Sequence, residues 1–209
     1  MTYDNWSRDT WRVTFNHPVF DHVPPWTEEE YLALDETTSL VELVRGALWV
    51  SPSPHNTLHQ EVVSRVVTAL RSGAENTGFD AVRQINVRLA PDTILNPDFV
   101  VSKADNRPRL VTDAADIPLI GEVTAPGSAV ADRTFKPHLY AAAGIEWYLL
   151  VETDFSDLSV SLRLHRLAGD HYVKDAAAKF GQTLKSDAPF PFAINTTDLL
   201  QPGPLADQC

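Results

Sequence analysis

Asn96-Pro97-Asp98-Phe99-Val100-Val101, Gly121-Glu122-Val123 and Asp132-Arg133-Thr134-Phe135-Lys136 decide how this chain is read. The first places an acid at the mouth of an apolar strand, directly after a proline. The second places another acid at the end of a second apolar strand. Carboxylates that open or close buried strands can point into one cleft and hold a hard divalent cation. Mg²⁺ takes one or two protein carboxylates and leaves its other positions to water and substrate phosphate; so placed, it activates water and offsets charge on a phosphoryl group. Taken singly, Asp98 reads as a turn cap and Glu122 as a strand-end charge. The third segment changes that balance. In a helix, Asp132 and Lys136 stand at i and i+4 on one face, from where the ammonium can reach the cleft, orient water and stabilise a pentavalent phosphorus. The plainer alternative is a solvent-facing ion pair.

Outward from these segments, hydrophobic periodicity predicts a helix over Ala131–Ala143 closed by Gly144. Strands are expected at Ala81–Leu89, Asp98–Val101, Pro118–Val123, Ile145–Glu152, Leu158–Leu167 and His171–Lys174. Upstream, Thr27 with Glu30 three residues on makes a capping box. Leu40–Arg45 and Ala47–Ser51 read as a hairpin turning near Arg45-Gly46, and His55 to Asn76 as a long helix stopped by Gly78. This order implies a mixed sheet flanked by helices, of the α/β (α+β) class. Residues 1–26 read as an extension packed by its aromatics, 27–186 as one α/β domain, and 187–209 as a Pro-rich C-terminal extension wrapping the surface.

With 209 residues, 44% apolar and 22% charged, the chain can bury a core without staples. Its single cysteine, Cys209, allows no internal disulfide, which suits a reducing cytoplasm. The longest apolar runs are too short to span a bilayer, and no signal-type stretch opens the chain; a cytoplasmic location is expected. A net charge of −11 argues against coating nucleic acid by broad phosphate neutralisation. It leaves room for a local basic groove, for which Arg83, Arg88, Lys103, Arg107 and Arg109 are candidates. His55 and His59 lie one helical turn apart, but without an HExxH pattern zinc is not expected. His59 reads as packing near the site and His55 as a helix-start residue. Gly-rich phosphate loops, GxSxG and CxxC motifs are missing.

In its ordered set of motifs the chain resembles the Uma2-like proteins of the PD-(D/E)XK nuclease superfamily. The resemblance runs from Thr27 to Val151. It rests on Glu28–Leu34, Val41-Glu42-Leu43-Val44-Arg45-Gly46, Ser51-Pro52 leading to His59-Gln60, and Pro97-Asp98. Further along it rests on Glu122-Val123-Thr124-Ala125-Pro126, Asp132-Arg133 to Lys136, and Leu139 to Ile145 followed by Trp147-Tyr148. It implies a restriction endonuclease-like core and a Mg²⁺- or Mn²⁺-dependent endonuclease acting on DNA. Asp98 and Glu122 would be the metal-binding catalytic acids and Glu42 the upstream acid that assists them. The motif's lysine position is Thr124 here, so Lys136 on the following helix inherits the role, with His59, Thr124 and Asp132 in support. Pro137 is a departure: proline disfavours helix in the residue before it and suits only a first helical turn. The helix therefore starts late, or Lys136 stands at its very beginning. A homodimer would be the simplest way to cut both strands. The competing reading is a nuclease-fold protein that has lost cleavage and serves as a binding or accessory subunit.

Overall fold

The computed structural model describes residues 22–34, 40–51, 57–105, 107–124, 129–154 and 156–200. A six-stranded sheet runs through the molecule in the order β11-β10-β9-β8-β6-β3, with β3 (Phe79–Arg83), β6 (Phe99–Lys103), β8 (Leu119–Thr124), β9 (Trp147–Asp154), β10 (Ser159–Ala168) and β11 (His171–Ala178). Only β8 and β9 pair in parallel here; the other neighbours are antiparallel. A parallel pair needs a crossover, and the helix that bears Lys136 is that crossover.

Side-chain alternation divides each central strand between two cores. Phe99, Val101, Leu119, Val123, Leu149 and Val151 face α2 (Thr57–Ala74), whose Val62, Val63, Val66 and Leu70 cover that side. Val100, Ile120, Tyr148 and Leu150 face the opposite way, toward Leu139 and Tyr140 of α3 (Lys136–Ala142). Because β8 is buried along its whole length, the polar members of the second face, Glu122 and Thr124, are buried with it. Gly121 belongs to the α2 face opposite Phe99. A Cβ there would come within 2.1 Å of the Phe99 ring and 2.8 Å of the Leu149 carbonyl. Gly121→Ala is expected to destabilise the fold by about 3 kcal/mol through overpacking, read as a lower urea midpoint at unchanged m-value.

A smaller sheet, β2-β1-β5-β4-β7, stands beside the first. It comprises β1 (Leu40–Val44), β2 (Ala47–Ser51), β4 (Asn86–Ala90), β5 (Thr93–Leu95) and β7 (Val111–Asp113). The β1–β2 hairpin turns at Arg45-Gly46, both at positive φ. The helix α1 (Glu28–Leu32) carries the reciprocal Thr27–Glu30 capping box. Trp26 packs with Tyr31, Leu43 and Ile94.

Two expectations are corrected. Ala81–Leu89 is not one strand: Gln84 adopts φ 51°, and the chain leaves the large sheet as β3 to enter the small one as β4. The stretch after Asp187 does not simply wrap the surface. Phe192–Asn195 forms β13, paired with β12 (Thr183–Ser186), and Phe190, Phe192, Ile194 and Leu199 are buried against α2 and the sheet. Their apolar side chains outweigh the prolines around them. Residues 1–21 and 201–209 lie outside the described residues, as does His55. No described helix is long and apolar enough to cross a membrane.

Candidate active site

Six segments of the chain deliver side chains to one buried point. From β1, Glu42 enters fully buried, its Oε1 accepting the Asn96 N–H at 2.9 Å. Glu122 comes from β8 and is 2% exposed. Asp98 stands one residue before β6, with its carboxylate Oδ2 accepting the Val123 N–H at 2.7 Å. His59 of α2 lies 3.1 Å from Asp98 Oδ1, so an Nε2–H tautomer donates to it. The chain before α3 supplies Asp132, and α3 itself supplies Lys136. The ammonium lies 3.1 Å from Glu122 Oε1, 3.5 Å from Asp132 Oδ1 and 3.8 Å from Glu42 Oε1. The Asp132–Lys136 pair is thus buried rather than solvent-facing. Asp98 keeps 17% of its side chain exposed and marks the mouth of the cluster.

Lys136 reaches the cluster by a local distortion. Ala131–Phe135 is wound as a π-helical turn leading straight into α3, and the Lys136 N–H donates to the Ala131 carbonyl, five residues back. In that register Pro137 would pair with Asp132, but it has no N–H to give. Tyr148 supplies the missing donor, its hydroxyl reaching the Asp132 carbonyl at 2.6 Å. The expected conflict at Pro137 is resolved in this way: Lys136 takes helical angles, φ −59° and ψ −42°, and the orphaned carbonyl finds a side chain on β9. Tyr148→Phe is expected to cost about 1–3 kcal/mol by stranding a buried carbonyl. A thermal melt checks the loss, with Tyr172→Phe as a second tyrosine-to-phenylalanine reference.

Electrostatically the cluster is one cation among four carboxylates. Burial pushes Glu122 well above the ordinary carboxylate range, with Lys136 pulling it back and Asp132 and Asp98 adding to the rise. Burial likewise raises Glu42, again opposed by Lys136. For Lys136 burial disfavours the charge, but attraction by Glu122, Glu42, Asp132 and Asp98 prevails, and its pKa is raised. Tyr140 donates to Glu122 Oε1 at 2.5 Å. Its own ionisation is pushed well up by burial and by the neighbouring Glu122 and Glu42 charges.

Glu42 Oε2 is buried with no hydrogen-bond partner among the described residues. An anionic oxygen in that position calls for a cation or a proton. The donors are hard carboxylate oxygens with a surplus of negative charge, a set suited to Mg²⁺ or Mn²⁺. Among the described residues no three His, Cys, Asp or Glu groups converge as a ready-made chelate; the ammonium occupies their meeting point.

Of the sequence candidates, Glu42, Asp98, Glu122, Asp132, Lys136 and His59 come together. Thr124 does not join them. Its hydroxyl accepts the Thr153 N–H at 3.4 Å and its carbonyl accepts the Thr153 hydroxyl at 2.6 Å, so it ties β8 to β9. Nor do the basic candidates form an open groove. Arg88 is paired with Glu28 and Asp113, Lys103 with Asp116, Arg107 with Asp105, and Arg109 with Asp105 and Asp116. Neighbouring acids neutralise these four, and composition alone did not show which acids those would be; Arg83, exposed at the end of β3, stands apart from them. Tyr140 and Tyr148 were not among the candidates. Tyr140 could have been found, because 132, 136 and 140 form one helical stripe.

The same architecture occurs in a solved structure described as "a putative nuclease belonging to DUF820 from Anabaena variabilis". It superposes with a TM-score of 0.63 at 16% identity, covering 84% of this chain and 98% of that one. The molecule accordingly has a restriction endonuclease-like α/β (α+β) core, a mixed sheet flanked by helices, with an acidic, lysine-bearing centre. Residues 28–199 match the family described as "Uma2: Putative restriction endonuclease", and the chain belongs to that family. Among curated proteins, nothing matches.

Proposed function

We propose that the chain is a Mg²⁺- or Mn²⁺-dependent endonuclease that hydrolyses phosphodiester bonds of DNA. The observation that carries this reading is the single buried lysine placed among Glu42, Asp98, Glu122 and Asp132. Membership of the family described as "Uma2: Putative restriction endonuclease" supports it. Glu42, Asp98 and Glu122 would hold the ion, which when bound lowers the pKa of water and polarises a phosphate oxygen. The protein's own groups do the rest. His59 and the Val123 N–H hold the Asp98 carboxylate at the mouth. Tyr140 fixes Glu122. Lys136 keeps its proton and can donate it in a hydrogen bond to a phosphate oxygen or to the attacking water. Acting as a homodimer would let two such centres cut both strands.

The test is nicking of supercoiled plasmid by the whole chain. Cleavage should need Mg²⁺ or Mn²⁺ and stop with chelator; a protein that cuts nothing with either ion refutes the reading. The accessory-subunit alternative draws on the ammonium seated where the carboxylates meet. Calorimetry separates the two: an active centre should bind Mn²⁺, and Glu122→Gln should weaken that binding clearly.

A further inference from the structure

The segment that carries Lys136 has another face. Arg133, Pro137 and Ala141, each four residues apart, form a stripe beside that of Lys136 and Tyr140. They roof a cavity of about 310 Å³ over the α3-facing side of β9, β10 and β11. Its floor is a run of rings. Tyr148 and His165 lie with centroids 5.9 Å apart at 27°, and Tyr148 and Tyr172 at 5.6 Å. Both tyrosine hydroxyls are committed elsewhere, to the carbonyls of Asp132 and Ile145. What the floor offers is therefore π surface, held rigidly. Burial also holds His165 below the ordinary imidazole range, with partial offset from the nearby Tyr148 backbone, so near neutrality its ring is uncharged.

The walls carry positive charge. Arg133 from the π turn and Arg163 from β10 are each about half exposed, and each bonds one oxygen of Glu152 at 2.8 Å. One carboxylate shared between two guanidiniums leaves a surplus, and His138 and His171 stand at the rim. The opposing Asp170 is fully exposed and held by His171 at 3.0 Å. In a chain of net charge −11, two half-exposed arginines that share a single carboxylate select for an anion. The rings select for a flat aromatic group. The volume, at the small end of the roughly 300–1,000 Å³ typical of ligand pockets, limits the occupant to about one nucleotide.

We propose that this cavity binds a 5′-mononucleotide, its base against His165 and Tyr172 and its phosphate between Arg133 and Arg163. The proposal does not depend on DNA cleavage. Because Tyr148 both floors the cavity and holds the Asp132 carbonyl, the occupant would rest on the back of the turn that aims Lys136.

The test is calorimetry of the whole chain in chelator with AMP, adenosine and inorganic phosphate in turn. AMP should bind about 10-fold or more tighter than adenosine or phosphate, a ratio worth about 1.4 kcal/mol. The Arg133→Gln/Arg163→Gln protein should lose that advantage, while Glu122→Gln should retain it. If the double variant fails to fold, His165→Leu serves in its place and should also weaken AMP. No heat with millimolar AMP overturns the proposal. So does equal binding of phosphate alone, which would indicate a simple anion site. Loss in Glu122→Gln with binding intact in the arginine variant overturns it too, by placing the nucleotide at the acidic cluster.

Discussion

Lys136→Met is expected to lower the melting temperature by roughly 10 °C at pH 8, and by much less at pH 5. Removing one partner of a buried ion pair typically costs about 3–5 kcal/mol, and for a chain of this size each kcal/mol shifts the midpoint by roughly 2–4 °C. Here the loss would leave Glu42, Glu122 and Asp132 buried without the one cation seen between them. The pH dependence follows from linkage. Glu42 and Glu122 already have raised pKa values in the folded state, and without the ammonium they rise further. A carboxyl whose folded pKa exceeds its unfolded value penalises folding fully above the folded pKa. The penalty is relieved as pH falls toward the unfolded value, about 4.3 for Glu. The comparison is mutant against wild type across pH, so groups common to both cancel. A deficit that stayed constant from pH 8 to 5, or grew toward acid, would show that the lysine does not compensate these acids.

Asp98→Ala and Glu122→Ala are each expected to reduce plasmid nicking by about 10³-fold or more, on the scale of a lost electrostatic contact in a transition state. The two should differ in stability. Asp98 is partly exposed, and its loss releases His59 and the Val123 N–H toward a mouth that water can reach. Glu122 is buried beneath Lys136 and Tyr140, so removing it leaves two donors without their acceptor and lowers the melting temperature as well. Nicking rates equal to wild type in both variants would remove the acids from the reaction while leaving the fold intact.

Much of this was legible from residues alone. The capping box at Thr27–Glu30, the hairpin at Arg45-Gly46 and the long helix α2 are local patterns whose causes lie within a few residues. The acids at strand ends were visible because β6 and β8 read as uninterrupted apolar runs, in which a carboxylate is an exception. Lys136 was harder. The proline after it speaks against a helix locally, and the remedy is the hydroxyl of Tyr148, on a strand beyond the next turn. Likewise, whether Arg88 or Lys103 meets phosphate or a neighbouring acid depends on residues distant in sequence.

By itself, then, the order of residues specified the capped first helix, the β1–β2 hairpin, the long helix α2, most strands of the large sheet and the acids that interrupt apolar runs, since these follow from periodicity and propensity over short spans. It did not specify the break at Gln84 or the strands β5, β7, β12 and β13. Packing settled everything that depends on a neighbour from elsewhere in the chain. It set four carboxylates around a single ammonium, the π turn completed by Tyr148, the burial of Phe192 and Ile194, and the neutralised arginines. The reason is physical: hydrogen bonding and desolvation act at a few ångströms through space, and no spacing along the chain states which groups will be brought that close.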